Sequence, residues 1–241
     1  AFLKGAQIDE GEQVTPADAR YGGFTYGPAS SSRGGRGADL SNTHMALAAL
    51  RDAGVAKDDP VYARVMTFLE RCQNDSEVND GVGFKPNEDS GFVYNPVAGG
   101  KEAASYAGMT YAGLLSLIYA GADEDTPSVK AALGWIAKNY TLERNQGLGT
   151  RPGKDTDQSG LYYYYYVFAK CLHRLGKPTV QTAQGERPWA RDLLDALAAR
   201  QRDDGSFVNS DTQWWENDPV LVTAYSISAM NEALAALGEG D

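Results

Sequence analysis

Cysteine and histidine are scarce in this sequence, since its 241 residues contain only two of each. Cys72 and Cys171 lie far apart, and neither belongs to a CxxC or CxH pair with the spacing of metal ligands. We therefore expect two free thiols, with a disulfide between them as the alternative. The same scarcity predicts that the chain has no metal site.

Basic residues are outnumbered by acidic ones, 22 against 32, which gives a net charge of −10. Nucleic-acid backbones and anionic lipid surfaces both attract basic faces, so this balance predicts no nucleic-acid partner. No apolar run approaches the ~18–20 residues that span a bilayer, and we therefore predict no transmembrane segment. Nucleotide-binding and dinucleotide-binding motifs are also missing, so no cofactor is expected.

A pattern of apolar residues, a Gln and a Gly-rich stretch ending in an aromatic residue recurs along the chain. Its copies are Phe2-Leu3 with Gln7 and Phe24, Phe68-Leu69 with Gln73 and Phe84, a weaker Trp135-Ile136 with Tyr140 and Gly149, and Leu197 with Gln201 and Phe207. We expect each Gln amide to tie a helix end to the following loop and each aromatic ring to pack beneath it. These residues are therefore interpreted as structural.

Between these copies, segments rich in Ala, Gly, Leu and Tyr alternate with charged, amphipathic segments. The first set predicts helices over 39–54, 105–120, 160–175 and 219–237, and the second over 60–73, 127–140 and 187–202. A short stub is expected at 1–7. Because the first set carries few charges, we expect it to be covered on nearly all sides, with the charged set outside.

These elements predict an all-α fold of about four helical hairpins with long Gly-rich loops. Such hairpins build either an open α-solenoid or an α/α toroid, closed as a barrel or left as an arc, and we favour the toroid. The predicted domain is single and covers 1–241. It is expected to be truncated at the N-terminus, because the chain opens within the pattern at Ala1-Phe2-Leu3.

The segment Gln201-Arg-Asp-Asp-Gly-Ser-Phe207, preceded by Leu193-Leu194, resembles the repeat of squalene and hopene cyclases and of protein prenyltransferase β subunits. The resemblance covers nearly the whole chain as four copies of unequal quality. It implies a ring of inner helices around a central apolar cavity. It also implies a ligand of the isoprenoid type.

The catalytic motifs of these families are incomplete. Class II terpene cyclases carry an Asp-x-Asp-Asp-Thr motif, and the matching stretch here is Asp39-Leu-Ser-Asn-Thr43. Its central acid is replaced by Ser41, whose hydroxyl does not protonate an alkene. Asp39 and Asn42 are the candidate catalytic residues that remain, and an N-cap is the alternative role for Asp39. In the prenyltransferase pattern the zinc-binding His place holds Tyr164, so the resemblance implies no zinc here.

Aromatic side chains are the remaining candidates for binding. A run of five tyrosines occupies 162–166, and two tryptophans precede the last predicted helix. The candidate ligand-binding residues are Tyr106, Tyr162, Tyr163, Tyr164, Tyr166, Trp214 and Trp215. Aromatic rings suit apolar chains and carbocations, and they also stack on sugar rings. Packing within the core is the other interpretation of most of them.

Three functional hypotheses follow. The first is a protein similar to terpene cyclases and prenyltransferases that binds an apolar isoprenoid-type ligand and has lost the standard catalytic groups; any activity would be of the isomerase or transferase type. The second is a carbohydrate-active enzyme or sugar-binding protein that uses the tryptophans with Glu216 and Asp218. The third is a protein-interaction scaffold. The expected partners are thus an apolar small molecule or a sugar, with an upstream segment of the same polypeptide as a further one.

Overall fold

The computed structural model describes residues 2–26, 37–97, 104–151 and 154–239. Seven α-helices dominate these residues, which confirms the predicted all-α class. They are α1 Leu40–Asp52, α2 Pro60–Arg71, α3 Ala107–Ala120, α4 Pro127–Asn139, α5 Leu161–Leu175, α6 Trp189–Ala198 and α7 Pro219–Leu237. The stub is a 3₁₀ turn, Lys4–Ala6, and two more such turns lie at Glu10–Glu12 and Gln213–Trp215.

Two small antiparallel hairpins were not predicted. Strand β1 (Thr150–Arg151) pairs with β2 (Lys154–Asp155), and β3 (Val180–Thr182) pairs with β4 (Gly185–Arg187). The second hairpin joins α5 to α6, where the sequence pattern predicted only a tight turn. Both are short local ladders, so they leave the fold class unchanged.

The structure has two compact units. One comprises Ala1–Ser105 with Ala112–Trp135, and the other Tyr106–Tyr111 with Ile136–Asp241. Helices α3 and α4 each contribute a segment to both units. The largest fully buried side chains are Phe24, Phe68 and Phe92 in the first unit and Trp189, Tyr111, Tyr164, Tyr165, Phe168 and Phe207 in the second.

The helices begin and end where local chemistry favours it. The side chain of Asp59 accepts a hydrogen bond from the Val61 N–H at 3.1 Å, and Pro60 is the first residue of α2. Helix α5 ends at Gly176, whose φ of 68° is the left-handed conformation that glycine adopts at little cost. These start and stop signals confirm the predicted helix positions to within a few residues.

Three loops share one set of contacts; we call them the glutamine loops and define them as residues 7–24, 73–92 and 201–207. In each, the Gln Nε2 donates to the carbonyl two residues before a phenylalanine. The acceptors are Gly22 at 2.9 Å, Ser90 at 3.1 Å and Gly205 at 3.1 Å. The predicted link from the Gln amide to its loop is therefore confirmed in all three.

The aromatic residue of the second glutamine loop is Phe92, and the prediction of Phe84 was wrong. Phe92 forms a β-bridge with Gln73, as Phe24 does with Gln7. Gly91, which precedes Phe92, packs closely, because a Cβ there would lie 2.6 Å from the Ser105 side chain and 2.7 Å from the Trp135 ring. Only a glycine permits this close approach.

Two of the glutamine loops also hold a charged helix, which is the second helix after the loop. Gln7 Nε2 donates to the Val61 carbonyl at 3.0 Å, and Gln73 Nε2 donates to the Ser128 carbonyl at 2.9 Å. Each acceptor is the second residue of its helix, α2 or α4. Gln201 is exposed and makes no such contact within the described part of the chain.

Helix α7 departs from the prediction that the uncharged helices are covered on nearly all sides. Its small-residue face, Val222, Ser226, Ala229 and Ala233, is buried where the helix packs against α5 and α6. The opposite face carries Val220 and Ile227, which are 78% and 49% exposed. The α7 sequence thus has two apolar faces, and only one of them has a partner among the described residues.

Helix α7 also bears on the prediction that the chain has no transmembrane segment. With 19 residues it is long and apolar enough, by length and composition, to cross a membrane. Counting only unbroken apolar runs missed it, because Thr, Ser and Asn interrupt the run. A single helix of this kind is weak evidence for a membrane span, since the core helix of a soluble protein passes the same test.

We predict that Gln73→Ala lowers the free energy of unfolding by about 1–3 kcal/mol, because a buried amide that satisfies two carbonyls is lost. Gln201→Ala is the matched control, since its side chain is exposed and bonds one carbonyl. We expect it to change stability by less than about 0.5 kcal/mol. Urea denaturation of both variants measures this, and equal losses would contradict the role assigned to the second contact.

Candidate functional site

Asp39 lies at the N-terminus of α1 and is only 5% exposed. Its Oδ1 accepts the Asn42 N–H at 2.8 Å, and its Oδ2 accepts the Asn42 side-chain amide at 2.7 Å. The N-cap role of Asp39 is therefore confirmed. The two candidate catalytic residues are brought together: one carboxylate oxygen caps the start of the helix, and the other accepts the Asn42 side-chain amide.

The surroundings of Asp39 favour its protonated form. Burial raises the pKa of the Asp39 carboxyl, although hydrogen bonds from Asn42 and Tyr94 oppose the shift. Burial likewise raises the pKa of the Tyr94 hydroxyl, with the Asp39 charge as the next cause. Tyr94 was not predicted; its carbonyl also accepts the Leu40 N–H at 2.8 Å, from a position far along the chain. No local sequence signal links the two.

Thr43 joins the first glutamine loop to α1. Its Oγ1 accepts the Phe24 N–H at 3.0 Å and donates to the Asp39 carbonyl at 2.7 Å. Thr223 accepts the Phe207 N–H at the same 3.0 Å in the third loop. The threonine that follows the acid in the cyclase-like stretch is therefore a structural link between a loop and its helix.

The run of tyrosines on α5 is divided between the core and the surface. Tyr162, Tyr164 and Tyr165 are buried, whereas Tyr163 and Tyr166 are half-buried. The Tyr164 hydroxyl donates to the Thr141 carbonyl at 2.7 Å, and the Tyr165 hydroxyl donates to the Leu142 carbonyl. Tyr106 is also buried, just before α3. Of the predicted tyrosines, Tyr163 and Tyr166 are the ones within reach of solvent.

Tyr163, Tyr166 and Tyr225 form a cluster of rings between α5 and α7, and we call these three residues the tyrosine seam. The ring centroids are 6.3 Å apart for Tyr163 and Tyr166, 6.0 Å for Tyr163 and Tyr225, and 5.4 Å for Tyr166 and Tyr225. Lys170 Nζ lies 5.1 Å from the centroid of the Tyr166 ring. The seam therefore combines three half-buried aromatic faces with one cation.

Trp214 and Trp215 are exposed, by 45% and 77%, in the turn before α7. Both have left-handed backbone conformations, with φ of 55° and 60°. Bulky residues rarely adopt this region, and strained backbone of this kind clusters at functional sites. A Cβ at Gly160 would lie 2.9 Å from the Trp214 ring, so the glycine permits the ring to pack there.

Glu216 follows the tryptophans and is only 1% exposed. Its Oε1 accepts the Tyr163 N–H at 2.8 Å, and its Oε2 accepts the Asn209 side-chain amide at 2.7 Å. It therefore caps α5, which has no side-chain cap of its own because Gly160 occupies the N-cap position. Burial raises the pKa of Glu216 to about 6, against the opposing effect of these hydrogen bonds. Asp218 caps α7 through the Val220 N–H at 2.9 Å.

A polar cleft of about 380 Å³ that the sequence did not predict lies beside the end of α4. The Tyr140 hydroxyl donates to Asp192 at 2.8 Å, and Arg187 pairs with the same carboxylate at 2.7 Å. Tyr140 stands where the other copies of the pattern have Gln, and its hydroxyl likewise contacts the next outer helix, here α6. Among the described residues, no group of three or more His, Cys, Asp or Glu side chains is placed to hold a metal ion.

Comparison of the chain with protein families, with curated proteins and with solved structures finds no match. The assignment of function therefore depends on the arrangement of its own residues.

We predict a pH-dependent stability that originates at Glu216. Because the pKa of this carboxyl is raised in the folded state, its contribution is present below about pH 4.5 and is lost as the pH rises through about 6. Glu216→Gln keeps an oxygen acceptor for the Tyr163 N–H and removes the titration. Relative to this variant, the wild type should lose about 2 kcal/mol of unfolding free energy between pH 4 and 7. Urea denaturation over this range measures the difference, and parallel pH profiles would contradict it.

Proposed function

We propose that this chain is a helical-hairpin repeat protein of the cyclase and prenyltransferase type that binds an apolar isoprenoid-type ligand. The three glutamine loops support the repeat, because each makes the same contact from Gln to its own loop. In this proposal the hairpins form an α/α toroid, and the standard catalytic groups are lost.

The tyrosine seam carries the proposal. Three half-buried rings whose centroids lie 5.4–6.3 Å apart form one aromatic cluster, and in this proposal the ligand binds against it. A hydrocarbon chain laid on these rings removes apolar area from water and gains dispersion contacts. The negative faces of the rings also attract cations, including carbocations.

The same proposal accounts for the site at Asp39. An acid that protonates an alkene must direct its proton into an apolar cavity, but both oxygens of Asp39 accept hydrogen bonds from Asn42. Ser41 occupies the place of the central acid and has no comparable acidity. We therefore assign binding, without cyclisation, as the function, with Asp39 as the residue that caps the start of α1.

We predict that Tyr166→Ala weakens binding of farnesol, used as the probe, by at least about tenfold, which corresponds to about 1.4 kcal/mol. Removal of the ring exposes the other two and breaks the aromatic surface. Tyr26→Ala is the matched control, because Tyr26 is 65% exposed and lies in the other unit. Isothermal titration calorimetry measures both affinities. Equal affinities of wild type and Tyr166→Ala would contradict the proposed site.

A second candidate function is sugar binding, and the tryptophan pair favours it. Two adjacent exposed indoles, held in strained backbone next to a buried carboxyl with a pKa of about 6, offer rings for stacking on sugars. Glu216 is committed to capping α5, so this candidate is a binding protein without glycosidase activity.

Under this second candidate, Trp215→Ala abolishes retention of the chain on immobilised polysaccharide, whereas Tyr166→Ala leaves retention unchanged. Affinity electrophoresis against cellulose, xylan and chitin derivatives measures the retention of both variants. If no polysaccharide alters the mobility of the wild type, the sugar-binding candidate is excluded and the apolar ligand is left as the function.

A further inference from the structure

The first glutamine loop shows how a charged helix is held. Helix α2 makes two hydrogen bonds with the Gln7 side chain. The Val61 carbonyl accepts from Gln7 Nε2, and Arg64 Nε donates to Gln7 Oε1 at 3.0 Å. The same guanidinium pairs with the Asp9 carboxylate at 3.0 Å. A helix that begins with Pro and carries an arginine four residues later is thus recognised by a Gln and an Asp two positions apart.

The third glutamine loop repeats that recognition pair without an occupant among the described residues. Gln201 and Asp203 have the spacing of Gln7 and Asp9, and both are exposed. The Gln201 amide bonds its own loop as Gln7 does, and Phe207 bonds Thr223 as Phe24 bonds Thr43. The loop is therefore built like the first one, with its helix-binding groups facing solvent.

The residues next to Gln201 and Asp203 in the sequence help to line an apolar groove on α7. It is lined by Arg202, Asp204, Val220, Thr223, Ala224 and Ile227 and has a volume of about 510 Å³. Val220, Ala224 and Ile227 follow one another at spacings of four and three residues, which is one face of a helix. This is the unpartnered face of α7, and the groove also includes Arg202 and Asp204, the sequence neighbours of Gln201 and Asp203.

We propose that the α7 groove binds an amphipathic helix of a partner polypeptide, begun by Pro and carrying an arginine or lysine as its fifth residue. The apolar face of that helix covers Val220 and Ile227. Its second carbonyl accepts from the Gln201 amide, and its basic side chain pairs with Asp203. The proposal is independent of the tyrosine seam and of the ligand assigned to it.

Charge and topology favour a partner helix over the two alternative occupants, which are an anionic membrane surface and a second copy of the chain. Asp204 lines the groove and pairs with Arg202 at 3.9 Å, which leaves the exposed Asp203 beside them in the sequence as the acidic group. A free carboxylate there attracts a basic side chain and opposes an anionic membrane surface. A second copy of the chain has one helix with both the leading Pro and the arginine, namely α2, and that helix is already seated on Gln7. A helix of the same chemistry from a partner can bind Gln201 and Asp203 without displacing α2 from Gln7.

A labelled peptide with the sequence of residues 58–71, DDPVYARVMTFLER, is a suitable probe because the structure shows how it meets a Gln-x-Asp pair. Fluorescence anisotropy with the full chain should show saturable binding. Arg64→Glu in the peptide should weaken binding at least tenfold, and Asp203→Lys in the protein should restore the binding of that peptide. Asp52→Lys, an exposed carboxylate on α1, is the matched charge-reversal control and should restore nothing.

Ile227→Asp tests the apolar part of the groove and should abolish binding of the unmodified peptide. Because Ile227 is 49% exposed, the variant should keep the circular dichroism spectrum of the wild type. Peptide binding that survives both Ile227→Asp and Asp203→Lys would overturn the proposal. So would sedimentation showing a dimer that Ile227→Asp dissociates, or flotation with lipid vesicles that the same variant prevents.

Discussion

Helices α2 and α4 each depend on a buried glutamine amide that bridges two backbone carbonyls. At Gln7 and at Gln73 the side-chain amide donates one hydrogen bond to a carbonyl of the loop. It donates a second to the carbonyl of the second residue of a charged helix, α2 or α4. Both side chains are almost fully buried, so no water replaces a lost partner. Each amide therefore fixes its loop and a charged helix together, and one other helix, α1 or α3, lies between them in the sequence.

The helices were predictable because their signals are local. Asp59 and Pro60 start α2 through contacts within three residues, and Gly176 ends α5 through its own backbone conformation. Phe92 was missed for the opposite reason. Gln73 forms its bridge with Phe92, and no local signal separates Phe92 from Phe84, because each directly follows a glycine. The arrangement of the hairpins as a toroid remains a prediction.

The candidate site was predicted only in part. The tyrosine run pointed to α5, but of the predicted residues the structure buries Tyr162 and brings Tyr166 together with Tyr163. Which face of α5 is covered depends on α7, and Tyr225 on that helix completes the seam. Glu216 was proposed as an acid for sugar chemistry. Its role as the cap of α5 has no local signal, because Tyr163 lies 53 residues earlier.

Hydrogen exchange of the Gln73→Ala variant tests the bridging role most directly. If one amide holds both partners, protection should fall together at Asn74, whose N–H bonds Gly91, and in the first turn of α4 at Val129 and Lys130. The glutamine loop of Gln201, which holds no second helix in the described residues, should keep its protection. A loss confined to the loop, with α4 unchanged, would contradict the account.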